Sequence, residues 1–190
     1  CALPISGAPG SRWSGIAQTI ETIQGFNTSD RRPDREYTHN TYSGHKGAYF
    51  GQGMECMMIT NGNYIDRQWS EPGGTKLIKS HEWAFCLPQI KKKKAWRDAW
   101  VMMVYRPDMA CYSWWHEAGG FNIKYPNYSH YKNSNNMLTE IVRQNAAILE
   151  YGKINNCKWE YFTSSWINEN FNAGVDVSTT WSDILVTLIK

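Results

Sequence analysis

The chain lacks most of the short signatures that name a chemistry. No run approaches the roughly 20 apolar residues that cross a bilayer, and no charged leader followed by an apolar stretch opens it. The expectation is a water-soluble domain whose export signal, if it had one, has been removed. Five cysteines (Cys1, Cys56, Cys86, Cys111 and Cys157) are scattered through 190 residues. They form no C-x-x-C pair and no cluster of zinc or iron–sulfur type. Gly-x-Ser-x-Gly elbows, P-loops, dinucleotide fingerprints, His-Glu-x-x-His helices and Asp-rich calcium loops are also missing, so neither a cofactor nor a metal is expected. Charge of one sign is scarce: 20 basic against 17 acidic residues leave a net charge of +3. That is too little to imply a dedicated polyanion binder on charge alone.

Tryptophan is abundant by contrast, with ten copies beside eleven tyrosines and six phenylalanines. Both Trp and Tyr join a large apolar face to a polar edge, so copies beyond the needs of one core tend to sit at interfaces or stack on ligands. Two glycosylation sequons, at Asn27 and Asn127, lie in polar, turn-like context. Together with the opening "CALPISGAPG" they raise the expectation of an extracellular glycoprotein, with Cys1 as a candidate lipid anchor.

No internal repeat or linker divides the chain, so residues 1–190 are read as a single domain of which residues 1–13 form an irregular N-terminal arm. A helix is expected over about 14–25, where Ser14 can cap, Ile16, Ile20 and Ile23 share a face, and Gly25 stops it. Asn61-Gly62 flanked by β-prone residues predicts a hairpin. "TKLIK", "EWAFCLP", "AWVMMVYR", "KWEYFTSSW" and "AGVDVST" read as further strands, and "WSDILVTLIK" as a strand or, capped by Thr180, a terminal helix. A second helix is expected over 137–151, with Leu138, Ile141, Val142, Asn145 and Leu149 as its stripe and Gly152 as its end. The fold class expected is therefore α+β and strand-dominated, an antiparallel sheet or β-sandwich with one or two packed helices.

Histidines are few, and two of them sit beside a glutamate, His81-Glu82 and His116-Glu117. With His130 these are the candidate acid–base groups, although neighbours on a strand face opposite ways and neither pair would act as a unit. Lys91, Lys92, Lys93 and Lys94 lie beside Trp96 and read either as phosphate contacts with a stacking face or as a solvated turn between strands. The stretch "PDMACYSWWHEAGGFNIKY", 107–125, reads as strand and turn, which forces one of Trp114 and Trp115 away from the core. With Tyr125, Tyr128 and Tyr131 the exposed ring would form an aromatic ligand platform.

"PDMACYSWW" resembles the aromatic headgroup-binding loop of actinoporins, and "DRQW" with "HEWAFC" resembles a dermatopontin-type repeat; no residue roles are carried across from either. The leading expectation is a secreted protein that binds or acts on a glycan or polysaccharide through these rings. The alternatives are a membrane-active, toxin-like protein on an anionic membrane surface, and a nucleic-acid or nucleotide binder that stacks a base between tryptophans. Whether a reaction occurs is left open.

Overall fold

The computed structural model describes residues 2–30, 69–79, 82–92, 97–122, 132–177 and 181–189. The expected hairpin at Asn61-Gly62 lies outside them. Strands β1 (Ala2–Gly7), β2 (Lys76–Lys79), β3 (Val101–Tyr105), β4 (Glu160–Tyr161) and β5 (Leu185–Ile189) form one sheet in the order β2-β1-β3-β5-β4. β1 is parallel to both β2 and β3, whereas β5 runs antiparallel to β3 and β4. Among the described residues five α-helices accompany them: α1 (Trp13–Ile20), α2 (Leu87–Lys92), α3 (Asp108–Glu117), α4 (Ser134–Ile154) and α5 (Ser164–Phe171). Short 3₁₀ turns occupy Glu82–Phe85 and Gly120–Asn122.

The α+β class holds, but the strand-dominated antiparallel sheet or sandwich does not: the sheet is mixed and single, and helix outweighs strand. The reason lies in how a strand covered on both faces is written. β3, "VMMVY", is apolar throughout because Val101 and Met103 pack on one side of the sheet while Met102 and Val104 pack on the other. On the first side Trp69, Trp83, Leu87, Ile148 and Tyr151 join Val101 and Met103. On the second, Ile16 and Ile20 of α1 and Trp166 and Ile167 of α5 meet Met102, Val104, Ile5 and Val186. Burial of side chains this size stabilises by about 1.5–3 kcal/mol each.

The supposed N-terminal arm contains β1, the middle strand of the parallel trio β2-β1-β3. β1, "ALPISG", sets Leu3 and Ile5 among the small Ala2, Ser6 and Gly7 and includes Pro4, whose missing N–H argues against a position inside a sheet. β3 pairs with β1 only from Ile5 onward, one residue past Pro4. α1 then follows with Ile16, Ile20 and, beyond its end, Ile23 buried as expected, though Arg12 and not Ser14 precedes the helix and supplies no capping bond. A buried Lys79–Glu21 ion pair of 2.8 Å ties the end of α1 to β2.

Three further strand expectations turn out wholly or partly helical. Residues 82–92 form a 3₁₀ turn and α2, and 164–171 form α5, capped by the Thr163 side chain, which accepts from the Trp166 N–H. "KWEYFTSSW" keeps only the two residues of β4 as strand. Residues 108–117 form α3, because Cys111, Trp115 and Ala118 recur at helical spacing and bury against Met137 and Ile141 of α4. α4 is longer than expected and starts at the Asn133 cap. Its buried face is rotated from the expected stripe: Ile141 and Asn145 are buried, but Val142 and Leu149 are exposed and Gln144 and Ile148 take their places. Gly152 lies inside this helix, where a Cβ would come 3.0 Å from the Trp159 ring.

Candidate functional site

Two parallel neighbours on either side of one strand create a place where loops diverge. From β1 the chain passes through α1 to β2; from β2 it crosses to β3 on the other side of β1. In open α/β sheets such a divergence leaves a crevice beyond the carboxyl ends of the strands, and ligands bind there. The loop at this position is Gly7-Ala8-Pro9-Gly10-Ser11-Arg12. Pro9 and Gly10 are the central residues of a tight turn closed by the Ser11 N–H donating to the Ala8 carbonyl at 3.0 Å. Gly10 has φ +80°, the value a type II turn requires at its third residue.

The loop is packed to its limit. A Cβ on Gly7 would stand 2.5 Å from the Ser11 Oγ, and one on Gly10 would collide with the Cys111 carbonyl oxygen. Ser11 is fully buried, turned inward across the loop toward Gly7, and its Oγ has no hydrogen-bond partner among the described residues. An orphaned buried hydroxyl costs about 1–3 kcal/mol, so it is a feature that asks for a partner.

Arg12 follows at φ 64°, a left-handed conformation that costs a non-glycine residue about 1–2 kcal/mol. Its guanidinium lies 4.1 Å from the ring centroid of Trp114 on α3 and 4.1 Å from that of Trp181, just before β5. Gly15 allows the second contact, since a Cβ there would stand 3.0 Å from the Trp181 ring. Among the described residues no carboxylate forms an ion pair with Arg12. Burial and, next, the like charge of Arg106 push its pKa down; Asp183 and Glu117 work in the opposite direction.

Arg106 immediately follows β3, and because β3 and β5 are antiparallel it arrives beside the segment that enters β5. There its Nε donates to Asp183 Oδ2 at 2.6 Å, and its NH1 reaches the Gly10 carbonyl at 3.5 Å. Asn145 of α4 steadies this corner by donating to the Arg106 carbonyl and to Asp108 Oδ1. The Arg106 charge is therefore balanced directly by Asp183, while Arg12 contacts two rings and feels Asp183 and Glu117 without an ion pair to either. Cys111 beneath the loop is no nucleophile: burial pushes its thiol up to about 12, and the Sγ donates to the Arg106 carbonyl at 3.3 Å.

The residues singled out from sequence fall mostly elsewhere. Trp114 reaches the site, but Trp115 is buried between α3 and α4. His116 is exposed and stacks edge-on with Tyr112, Trp115 and Phe121 at 4.6, 4.9 and 5.8 Å. Glu117 is exposed on the same helix and approaches the site only as a charge that acts on Arg12. Glu82 opens the 3₁₀ turn before α2. Lys91 and Lys92 end α2; Lys91 Nζ donates to the Ala99 carbonyl at 2.7 Å, so it ties a turn, and Lys92 is exposed. His81, Trp96, Lys93, Lys94, Tyr125, Tyr128, His130 and Tyr131 lie outside the described residues.

Sequence reasoning does not single out Ser11, Arg12, Arg106, Trp181 or Asp183. A signal for the loop is nonetheless present, because a Pro-Gly dipeptide between an apolar segment and a helical pattern marks a tight strand-to-helix turn. Nothing in the sequence signals that Trp114 and Trp181 flank Arg12. No protein-family model, no curated protein and no solved structure matches this chain.

Proposed function

We propose that the chain binds the anionic end of a small molecule, a phosphoryl or sulfuryl group, at the Gly7–Arg12 loop. The observation that carries this reading is the buried, unpartnered Ser11 hydroxyl, turned inward in a glycine-tight loop that leads from the central parallel strand into the start of α1. Backbone N–H groups and the positive end of the helix dipole favour an anion at that place, and Arg12 adds a charge that no carboxylate balances directly. Accommodating the anion requires the loop to ease open around Ser11, whose hydroxyl then donates to it. The lysine of a P-loop is absent from this loop; arginine, with its planar fork of donors, takes that part.

Calorimetric titration with pyrophosphate and with inorganic phosphate tests the reading. Binding by the wild type, weakened about ten-fold or more in Arg12→Gln, is the expected result, since a hydrogen bond to a charged group contributes about 1.5–3 kcal/mol. Absence of binding at millimolar pyrophosphate and low salt, or equal affinity in wild type and Arg12→Gln, sinks it.

A further inference from the structure

The position of the Arg12 guanidinium raises a question that anion binding alone does not answer. A cation held against two indoles is stable there, yet a guanidinium engaged by two rings has less of itself left for an anion. With Arg12 Cζ 4.1 Å from each ring centroid, Trp114 and Trp181 stand no more than twice that distance apart. A planar heteroaromatic ring between two indoles needs a separation of that order. The spacing also fits: the slot lies one arginine side chain away from the loop backbone, much as a base lies one ribose away from its 5′-phosphate.

We infer that the ligand of this loop is a nucleotide, whose base enters between Trp114 and Trp181 in place of Arg12 while the displaced guanidinium turns to the phosphates. The inference rests on the anion-binding reading of the loop and names the class of molecule that carries the anion. The exchange costs the site little. Arg12 gives up two ring contacts and takes a charge-assisted fork on phosphate; the indoles lose a cation and gain a base. Arg106 stays in place, because Asp183 already holds it at 2.6 Å. The two tryptophans are unequal partners. Trp181 is fixed in the core against Phe162, ring centroids 5.6 Å apart, whereas Trp114 is only half-buried.

The experiment compares adenosine 5′-diphosphate with pyrophosphate on the full chain by calorimetry, in wild type, Trp114→Leu and Trp114→Phe. In wild type the nucleotide binds about ten-fold more tightly than pyrophosphate, the size of one stacked base. Trp114→Leu brings the ratio of the two affinities down toward one, and Trp114→Phe restores part of it. A thermal melt of each variant checks that it folds, and the wild-type ratio stands even if a variant does not. Equal affinity for nucleotide and pyrophosphate in wild type overturns the nucleotide inference but leaves anion binding intact. Uniform weakening of both ligands by Trp114→Leu overturns it in the same way. If neither ligand binds, both readings fall together.

Discussion

The two ends of the parallel strands are built from opposite materials. At the carboxyl end a glycine-tight loop, an orphaned hydroxyl and two guanidiniums crowd around Trp114 and Trp181. At the amino end of β1 the same sheet opens into a cleft of about 360 Å³, lined chiefly by Leu3, Ile23, Phe26, Trp100, Phe171 and Leu188. The difference follows from backbone direction. Parallel strands bring all their carboxyl ends to one edge, and the helix that follows β1 must begin there, so the donors of its first turn gather where the strands finish. The other edge receives the end of α1, which carries no basic residue in its last turn. One end of the unit is therefore prepared for a negative charge, and the other is lined mainly by apolar side chains, with Gln24, Thr75 and Asn170 among them.

Glycines break the comparison most sharply. Gly10 at the carboxyl end and Gly25 at the amino end both have positive φ, +80° and +98°. A Cβ on Gly10 meets the Cys111 backbone carbonyl, whereas one on Gly25 meets nothing within 4 Å. Gly10→Ala is expected to cost about 5 kcal/mol, at the extreme of single substitutions, and to abolish pyrophosphate binding. Gly25→Ala should cost only the conformational strain, about 1–2 kcal/mol, and leave binding alone. Urea midpoints with unchanged slopes measure both; similar losses at the two positions would show that the carboxyl-end loop is not held as tightly as its contacts indicate.

Cys111 gives the next largest effect, through pH. Burial raises its thiol from an ordinary 9.0 to about 12, so the folded state favours the protonated form more than the unfolded chain does. The stability this represents is fully present below pH 9 and is lost as pH rises toward 12, a loss of about 4 kcal/mol. Cys111→Ala should flatten that part of the alkaline limb in chemical denaturation measured from pH 8 to 11. A limb of unchanged steepness in the variant would assign it to Tyr105, Tyr151 and Cys157, whose burial also raises their pKa values.

How much of this is legible in the sequence depends on how far apart the cooperating residues stand. α1, β2, β3, β5 and α4 are local patterns, and the residues alone place a helix or strand near each. β1 escapes because Pro4 and the small residues of "ALPISG" mimic an irregular arm; what makes them a strand is pairing with Lys76–Lys79 and with Met102–Val104, both distant in the chain. α3 escapes because its ends and aromatic content suit a strand equally well, and only packing on Met137 and Ile141 decides. At the site, the doubled tryptophans rightly draw attention, but for a reason that strand alternation does not supply. On a helix, adjacent Trp114 and Trp115 diverge enough for one to join the core while the other reaches Arg12, a partner more than a hundred residues earlier. Ser11 becomes conspicuous only once its lack of a partner can be counted.

The smallest expected effect sharpens the comparison from the apolar side. Trp100 is 46% exposed at the amino-end cleft, so Trp100→Ala removes only part of a ring's burial and should lower stability by about 1 kcal/mol. Its value lies in what stays constant. The cleft and the Gly7–Arg12 loop sit at opposite ends of β1, so pyrophosphate affinity in Trp100→Ala should match wild type, while fluorescence of a neutral apolar dye bound to the protein should fall. Saturating pyrophosphate should leave that dye signal in the wild type unchanged. If pyrophosphate displaces the dye, or if Trp100→Ala weakens the anion, the two ends communicate through β1, and the division of labour drawn from backbone direction no longer holds.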